Sequence, residues 1–388
     1  MGIYSTDIIV VGGGVMGCAA AYHLAKEGQQ VLLLERFAIG NHNGSSHGAS
    51  RLFRLVHDEM DYVQLARAAY SAWRDLETDS NEQLLHQVNG LDLGSPGTME
   101  GFRTTMQAAS VYFEPLGFDE IMYRFPYFNL PEDTVGFYQT DYGLFSTDHC
   151  VATLAAQARR YGATIMEGQT VQQIHASSDS VRLYTDKDSY SAGRLIISAG
   201  SWMRPLVRQL DLDLPLIVRK ELLTYYRPGD PSAFMPDRFP VFRHHKPETT
   251  ARWGVGFPIF AHAGVKMVLD CTGPVIDPND ADRTVDQANL ARVRAYVARI
   301  MPALGDDIID ADTCRYTMTP DEHFIIDRHP LYPQIIIASP CSGHGFKFAT
   351  LIGQILADLA VHGVTKHNIK RFRLDRPSLT GVTQMGEI

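Results

Sequence analysis

The sequence is poor in cysteine and lacks any strongly basic or long apolar segment. Its five cysteines are scattered over 388 residues, odd in number and without pairs at metal-ligand spacing. This argues against a disulfide framework and favours a reducing compartment, so we expect a cytoplasmic protein. The net charge of -9 and the absence of a basic run argue against a nucleic-acid partner or a membrane surface. The early apolar run at 8–11 is too short for a signal peptide or a membrane span.

No metal site is expected either. The fifteen histidines include one adjacent pair, His244 and His245, but the flanking Arg243 and Lys246 favour an exposed loop at this point. The composition is otherwise that of an ordinary globular protein, with 45% hydrophobic and 20% charged residues. The length of the chain favours two domains.

The first 35 residues have the pattern of a βαβ unit. An apolar strand at 7–12 is followed by a glycine turn, a helix predicted over 15–27 and a second strand at 31–35. Gly12, Gly14 and Gly17 have the G-x-G-x-x-G spacing that lets the backbone approach a pyrophosphate at the helix N-terminus. Glu35 ends the second strand, where it can accept hydrogen bonds from an adenosine ribose. The unit predicts a dinucleotide site, and the alternative is a plain glycine turn in an α/β domain.

Three later segments are individually weak signals. The polar run 43–54 carries Arg51 and Arg54, which would share a face if the end of the run were helical, and the alternative is a surface loop. Cys314 lies in the run 312–327, and an isolated cysteine is usually a small buried hydrophobe. A second glycine-rich run at 342–348 leads into a helix predicted over 345–362.

Further strands are predicted at 162–166, 171–175, 181–184 and 194–200, after a helix at 151–160. They indicate that the nucleotide-binding fold resumes after an intervening segment. The sequence contains no internal repeat and no low-complexity linker. A nucleotide domain in three pieces, with another domain threaded between them, fits this order best.

Taken together, these motifs resemble the monomeric sarcosine oxidase family, which includes N-methyltryptophan oxidase and pipecolate oxidase. The resemblance covers nearly the whole chain, and the order and spacing of its motifs are more specific than any one of them. It rests on the turn at 12–17, Asn43-Gly-Ser-Ser-His-Gly-Ala-Ser-Arg51, Cys314-x-Tyr-Thr, Asp321-Glu-x-Phe-Ile-Ile-Asp327, Ser342-Gly-His-Gly-Phe-Lys347 and Phe372-x-x-x-Arg-Pro-x-Leu379.

The resemblance implies a fold of the α/β plus α+β class. A Rossmann-type FAD-binding domain would comprise 1–84, 146–214 and 315–388, with an inserted mixed-sheet substrate domain at 85–145 and 216–314. It also implies an enzyme that carries FAD covalently, through Cys314. Family members oxidise secondary amino acids at a carbon–nitrogen bond, pass hydride to flavin N5 and release an imine that water hydrolyses. Their flavin is reoxidised by O2, which gives H2O2, and we expect a monomer with a small amino acid and O2 as its partners.

Individual residues take roles from the same resemblance. Arg54 and Lys347 occupy the positions that bind the substrate carboxylate, where a charge-assisted pair contributes roughly 1.5–3 kcal/mol. Lys266 matches the lysine held near flavin N5 for oxygen activation, although the pattern alone favours an exposed strand lysine. His47 and Arg51 match positions close to the flavin ring, and Tyr316 matches a substrate-pocket tyrosine. The positions implied to bind the cofactor are Gly12, Gly14, Val15, Met16, Gly17, Glu35, Arg36, Ser45, Ser50, Val171, Gly200, Gly343, His344, Gly345, Phe346 and Lys347, together with Cys314.

Two positions depart from the family pattern. Asp270 stands where the sarcosine-type enzymes have an active-site histidine, and Val255 stands where they have a tyrosine. An acid beside a substrate carboxylate would have to pair with a cationic part of the substrate or with Lys266, so Asp270 joins the catalytic candidates. The substrate therefore remains open between a larger or more basic N-substituted amino acid, a cyclic imino acid and a fructosyl amino acid.

Two other functions are compatible with the same residues. One is a dehydrogenase of the same fold that uses an acceptor other than O2, against which Lys266 argues. The other is a flavin-binding module without catalysis, such as a regulatory or carrier subunit. The presence of Arg54, Lys347, Lys266 and Cys314 together argues against the second.

Overall fold

A computed structural model of the chain describes residues 3–246, 253–280 and 282–380. In this part of the chain, two large β-sheets are covered by helices. The strands are β1 Ile3–Val11, β2 Val31–Leu34, β3 Ser50–Phe53, β4 Leu85–Gly94, β5 Glu114–Leu116, β6 Val135–Ser146, β7 Thr164–Met166, β8 Val171–Ala176, β9 Val181–Thr185, β10 Ser189–Ile197, β11 Ile217–Tyr226, β12 Val241–His245, β13 Trp253–Phe257, β14 Val265–Leu269, β15 Ile308–Met318, β16 Ile325–Arg328 and β17 Ile335–Ser339. The α-helices are α1 Val15–Lys26, α2 Met60–Ser80, α3 Pro96–Ala108, α4 Phe118–Arg124, α5 Thr147–Arg160, α6 Met203–Val207, α7 Gln287–Ile300, α8 Ala349–Val361 and α9 Pro377–Thr380.

The first sheet has eight strands and contains the dinucleotide-binding pattern. Its main path runs in the order β16-β17-β10-β1-β2-β7, and the hairpin of β8 and β9 joins it at β10. The strands β10, β1, β2 and β7 are parallel to their neighbours in this row. Residues 8–11 of β1 are buried on both faces, with α1, α5 and α8 on one side and the β8–β9 hairpin and the short helix α6 on the other.

Helix α1 packs against this sheet and against α5 and α8. Its buried face is built from small residues such as Ala19, which allows a close approach. A Cβ at Gly353 of α8 would lie 2.5 Å from the carbonyl carbon of Ala19, so the two helix backbones are nearly in contact at this point. This packing fixes the position of the α1 N-terminus beneath the turn at 12–14.

The second sheet has nine strands and is mixed, in the order β15-β11-β14-β13-β12-β4-β6-β3, with β5 paired to β6. Most of its neighbours are antiparallel, and β12 is parallel to β4. Because side chains alternate along each strand, one face packs into an apolar core that includes Phe242, Met267 and Leu269. The opposite face presents Arg243, Val255 and Lys266 toward a cavity.

The α/β plus α+β architecture expected from the sequence is present. The end of the run 43–54 is neither a helix that would place Arg51 and Arg54 on one face nor a surface loop, because Ser50–Phe53 pairs with β6 as an edge strand. Two local expectations are wrong. The α-helix expected from Gly345 begins at Ala349 and is preceded by a 3₁₀ turn at Phe346–Phe348. The histidine pair at 244–245 lies in strand β12 and not in an exposed loop, since β4 and β13 pair with it on both sides.

The domain bounds expected from the sequence remain a prediction. The part of the chain that the structure describes includes no helix with both the length and the apolar composition needed to cross a bilayer.

Candidate active site

A cavity of about 540 Å³ lies between the two sheets. At one end it is lined by the turn after β1, and at the other by side chains of β11, β13 and β14. Its size is in the range of natural ligand sites. The cavity therefore connects the predicted dinucleotide motif with the polar face of the nine-stranded sheet.

Backbone atoms lie so close to the glycine turn that two of its positions have no room for a side chain. Gly12 has a φ of +104°, and a Cβ there would lie 2.6 Å from the carbonyl oxygen of Ser198. A Cβ at Gly17 would lie 1.8 Å from the carbonyl oxygen of Gly12. These two positions must be glycine if the turn is to keep this form. The turn places the backbone at 12–16 on the cavity wall, while Gly17 itself packs behind it.

Glu35 supports the same turn from the end of β2. Its carboxylate accepts one hydrogen bond from the N–H of Gly13 at 2.5 Å and one from the N–H of Phe37 at 2.8 Å. Burial raises the pKa of Glu35, and these two donors oppose that shift. Each carboxylate oxygen has further acceptor capacity, and the side chain lines the cavity.

The residues at this end fit FAD. Helix α1 has no side-chain cap at Gly14, so its first turn offers backbone N–H groups to phosphate oxygens. One of these groups, the N–H of Val15, donates to Ser46 Oγ at 3.1 Å. Glu35 offers a carboxylate for ribose hydroxyls. Arg36 lies above the ring of Trp202, and both donate to the side-chain oxygen of Asn279, at 3.0 and 3.1 Å respectively. The wall therefore supplies donors for an anionic linker and an acceptor for a sugar.

Arg54 and Lys347 lie at the other end of the cavity. Arg54 follows β3 directly, and Lys347 lies in the 3₁₀ turn before α8. Both side chains line the cavity, with exposed fractions of 5% and 3%. The ammonium of Lys347 donates to the carbonyl oxygen of His344 at 2.8 Å. Burial, together with Arg54 and Arg243, lowers the pKa of Lys347 well below its ordinary value. A carboxylate bound beside Lys347 would oppose this shift.

Lys266 and Arg51 form a second cationic pair on the cavity wall. The ammonium of Lys266 donates to the carbonyl oxygen of Ser50 at 2.7 Å and lies 4.5 Å from the centre of the Phe257 ring. The guanidinium of Arg51 donates to the carbonyl oxygens of Ser45 and Ser50 at 2.9 Å each. Burial and the neighbouring Arg51 lower the pKa of Lys266 well below its ordinary value.

Cys314 is adjacent to the cavity without lining it. It is 1% exposed and packs with Leu223 and Val268, which do line the wall. Burial raises the pKa of its thiol to about 12, and Arg51 opposes the shift. A second thiol, that of Cys341, is half-buried and does line the cavity. No feature of the sequence singles out Cys341.

Asp270 also lies outside the cavity lining, one residue beyond β14. It is fully buried beside Glu221 of β11, and burial together with Asp270 raises the pKa of Glu221 to about 8. Glu221 stands opposite Cys314 in the register of β11 and β15. Asp270 is therefore part of a buried acidic pair behind Tyr316, which itself lines the cavity.

His47 is fully buried next to this region. Its ring stacks on that of His42 with centroids 4.7 Å apart, and its Nδ1 lies 3.5 Å from Asp312 Oδ2. Burial and Arg51 lower the pKa of His47 to about 3. Donor atoms of His42, His47 and Asp312 lie within 4.8 Å of one another. Arg283 already pairs with Asp312 at 2.8 Å, so this carboxylate has its cation and we assign no metal to the group.

The structure thus brings most of the residues named from the sequence to one cavity. Those that line it are Gly12, Gly14, Val15, Met16, Glu35, Arg36, Ser45, Arg51, Arg54, Val171, Gly200, Lys266, Tyr316, Gly343, His344, Gly345, Phe346 and Lys347. Those that do not line it are Gly17, His47, Ser50, Asp270 and Cys314. The hydroxyl of Ser45 donates to the carbonyl oxygen of Arg315 and joins the wall to β15.

Sequence reasoning missed one cation of this cavity, Arg243. It lies in β12, opposite Val255 of β13, and its side chain lines the cavity with 3% exposure. The adjacent polar residues indicate a loop. The only signal against a loop is the short apolar pair before Arg243, which is too brief to establish a strand.

Known proteins are similar to this chain in sequence. The sequence model of the family described as FAD dependent oxidoreductase matches residues 7–359. The chain is 35% identical over 385 residues to the monomeric sarcosine oxidase of Bacillus sp. (strain B-0618), covering 96% of each chain. It is 32% identical over 386 residues to the peroxisomal sarcosine oxidase of Homo sapiens, covering 96% of this chain and 97% of that protein.

Solved structures give the same picture. NikD, described as an unusual amino acid oxidase essential for nikkomycin biosynthesis, superposes in its open form with a TM-score of 0.85. The two chains are 28% identical, and the match covers 95% of this chain and 97% of that one. The similarity therefore includes the folds of both sheets.

Proposed function

The chain belongs to the family of FAD-dependent oxidoreductases, in the group of the monomeric sarcosine oxidases, and from this we propose that it is an oxidase of secondary amino acids. The substrate is an N-methyl or otherwise N-substituted amino acid, or a cyclic imino acid. The enzyme acts as a monomer on a small molecule, and its electron acceptor is O2.

One observation carries the proposal. The cavity that begins at the glycine turn ends at two buried cations, Arg54 and Lys347. They lie close enough for the charge of Arg54 to lower the pKa of Lys347. Two like charges held together in a buried site repel each other, and an anion between them offsets that repulsion. A substrate carboxylate in this position would also orient the neighbouring carbon–nitrogen bond along the cavity.

When bound, FAD supplies the two-electron acceptor for oxidation of the carbon–nitrogen bond and passes these electrons to O2, which leaves as H2O2. Gly12, Gly14 and the first turn of α1 would hold its pyrophosphate, and Glu35 its ribose. Arg51 and Lys266 place positive charge on the cavity wall, where they favour negative charge developing during electron transfer. The apolar side chains of Val255 and Phe257 keep this end of the cavity dry, which strengthens each of these interactions.

We also propose that FAD is attached covalently through Cys314. The Cys314 thiol lies directly behind Leu223 and Val268, and Arg51 favours its thiolate form. Attachment at this position would require Leu223 and Val268 to move so that the sulfur reaches the cavity. Non-covalent binding beside Cys314 is the alternative.

The proposal can be tested with the purified holoenzyme. Under anaerobic conditions, sarcosine, N-methyl-L-alanine, L-pipecolate and fructosyl glycine are mixed with it in turn, and flavin absorbance is followed. We expect at least one of these secondary amines to bleach the flavin, and admission of air to restore the colour with one H2O2 per turnover. Bleaching by none of these four compounds would overturn the substrate assignment, and recovery of colour without H2O2 would indicate another acceptor.

A further inference from the structure

Arg243 holds a fixed place on the cavity wall. It lies in the middle of the nine-stranded sheet, with Asp92 of β4 opposite it on one side and Val255 of β13 on the other. Its guanidinium carbon lies 4.4 Å from the centre of the Trp253 ring, in stacking range. A guanidinium held by strand pairing and by an aromatic face presents its donors in a defined direction.

The support behind Arg243 is a buried polar network. Asp92 is fully buried, and its Oδ1 lies 3.7 Å from Arg243 and 2.6 Å from Nε2 of His245. The hydroxyl of Tyr142 donates to the other carboxylate oxygen. Burial and Arg243 lower the pKa of His245 to about 4, so His245 is neutral at pH 7. The Asp92 carboxylate lies behind Arg243 and supports it from inside the sheet.

Among the side chains that line the cavity, cationic residues outnumber carboxylates. Arg243 lies close enough to Lys347 to lower its pKa, as does Arg54, so three cations converge at this end. Among the described residues, Glu35 is the one carboxylate side chain that lines the cavity, and it lies at the nucleotide end. A single substrate carboxylate bound by Arg54 and Lys347 leaves Arg243 facing the same space.

We propose that the preferred substrate is a secondary amine with two carboxylates, and that Arg243 binds the second one. This rests on the proposed function, since the first carboxylate is the one assigned to Arg54 and Lys347. The second carboxylate sits on the side chain of an acidic N-methyl amino acid or on the nitrogen substituent, as in iminodiacetate. In both cases a charge-assisted hydrogen bond in a dry site supplies the selectivity.

The wild-type holoenzyme tests this without any mutation. Both enantiomers of N-methylaspartate are compared with those of N-methylasparagine, a neutral amide of the same shape, and iminodiacetate is compared with its monoamide. Flavin reduction without oxygen is measured at a series of concentrations. We expect the apparent dissociation constant of one dicarboxylate to be lower than that of its amide by roughly tenfold to a hundredfold. The pair that shows the difference identifies where the second carboxylate sits.

Two outcomes distinguish failure of the dicarboxylate assignment from failure of the proposed function. If each amide binds as tightly as its acid while secondary amines still bleach the flavin, the dicarboxylate assignment is wrong and the proposed function stands. If no secondary amine bleaches the flavin, the proposed function itself fails.

Variants of Arg243 locate the interaction. Arg243→Met should remove most of the preference for acid over amide, and Arg243→Lys, which keeps the charge but not the planar fork, should retain part of it. Arg238→Met, a change at an exposed arginine outside the cavity, is the matched control and should leave the ratio unchanged. An acid-to-amide ratio that is the same in Arg243→Lys, Arg243→Met and wild type would show that Arg243 only supports the sheet.

Discussion

Lys266 and Ser50 are joined by a hydrogen bond of 2.7 Å from the lysine ammonium to the serine backbone carbonyl. The bond links β14 to the edge strand β3, at the opposite side of the same sheet. It places the ammonium beside Arg51, and in the described part of the chain no carboxylate lies near enough to shift the pKa of Lys266. The sequence leaves open that Asp270 neutralises this lysine, whereas in the structure Asp270 acts on Glu221 instead.

Lys266→Met should separate the two half-reactions. Methionine keeps the approximate length and removes the charge, so flavin reduction by substrate without oxygen should change little. Reoxidation by dissolved oxygen should slow by roughly a hundredfold to a thousandfold, as on removal of a preorganised electrostatic donor. Stopped-flow absorbance measures both rates, and Lys366→Met at an exposed position is the control. Normal reoxidation with impaired reduction would assign Lys266 to the substrate site.

The same lysine predicts the pH dependence of reoxidation. Burial and Arg51 lower the pKa of Lys266, so its charge is lost at a lower pH than for an ordinary lysine. Reoxidation should therefore be fastest at low pH and should slow as the pH rises through this lowered pKa. In Lys266→Met, this decrease in the reoxidation rate with rising pH should be absent. A wild-type rate that increases with pH over the same range would contradict a role for the charged form.

Arg54→Met and Lys347→Met should each weaken binding of the substrate carboxylate. The cost should be about 1–3 kcal/mol, which corresponds to as much as roughly a hundredfold in kcat/KM. The amide of the best substrate should show a similar loss on the wild-type enzyme, and little further loss on the variants. Equal turnover of acid and amide by wild type would show that these two cations bind something else.

Cys314→Ala should abolish covalent attachment of FAD, and Cys341→Ala should not. The comparison is matched, because Cys341 lines the cavity and Cys314 lies just behind its wall. Proteins are precipitated with acid, and flavin is measured in the pellet and the supernatant. Wild type and Cys341→Ala should give a yellow pellet. If the Cys341 variant alone loses its pellet flavin, the attachment site is Cys341, and a colourless wild-type pellet would mean that FAD is not covalent.

Glu221→Gln should stabilise the protein at neutral and alkaline pH. Burial and Asp270 raise the folded-state pKa of Glu221 from 4.5 to about 8. Between these values the unfolded chain releases a proton that the folded protein keeps, so the free energy of unfolding falls as the pH rises. A glutamine side chain cannot ionise, and its oxygen can still accept from the N–H of Gly273, as Glu221 does at 3.2 Å.

The measurement for Glu221→Gln is the melting temperature of the holoenzyme from about pH 4 to about pH 9, a range that brackets both pKa values. The advantage of the variant should grow with pH above the unfolded-state pKa and level off above the folded-state pKa of about 8. Glu132→Gln, at an exposed position, should show no such trend. A constant difference across the range would mean that Glu221 is ionised in the folded protein.

Local sequence determined the dinucleotide half of this protein. The turn at Gly12 and Gly17 needs residues without a Cβ, and the apolar run of β1 needs burial on both faces. Both features depend on residues that lie close together in the sequence. The helices α1 and α5 are found where the sequence predicts them. The family resemblance assigns roles to Arg54, Lys266 and Lys347, and all three line one cavity.

Tertiary structure alone decided which other side chains share that cavity. Arg243 joins it because β12 pairs between β4 and β13, and its register is set by partners far away in the chain, such as Asp92. The same cause places Glu221 opposite Cys314, and Asp270 lies outside the cavity lining. A side chain's face on a strand depends on its pairing, which consecutive residues do not encode. The glycine turn is local, and so the sequence alone could specify it.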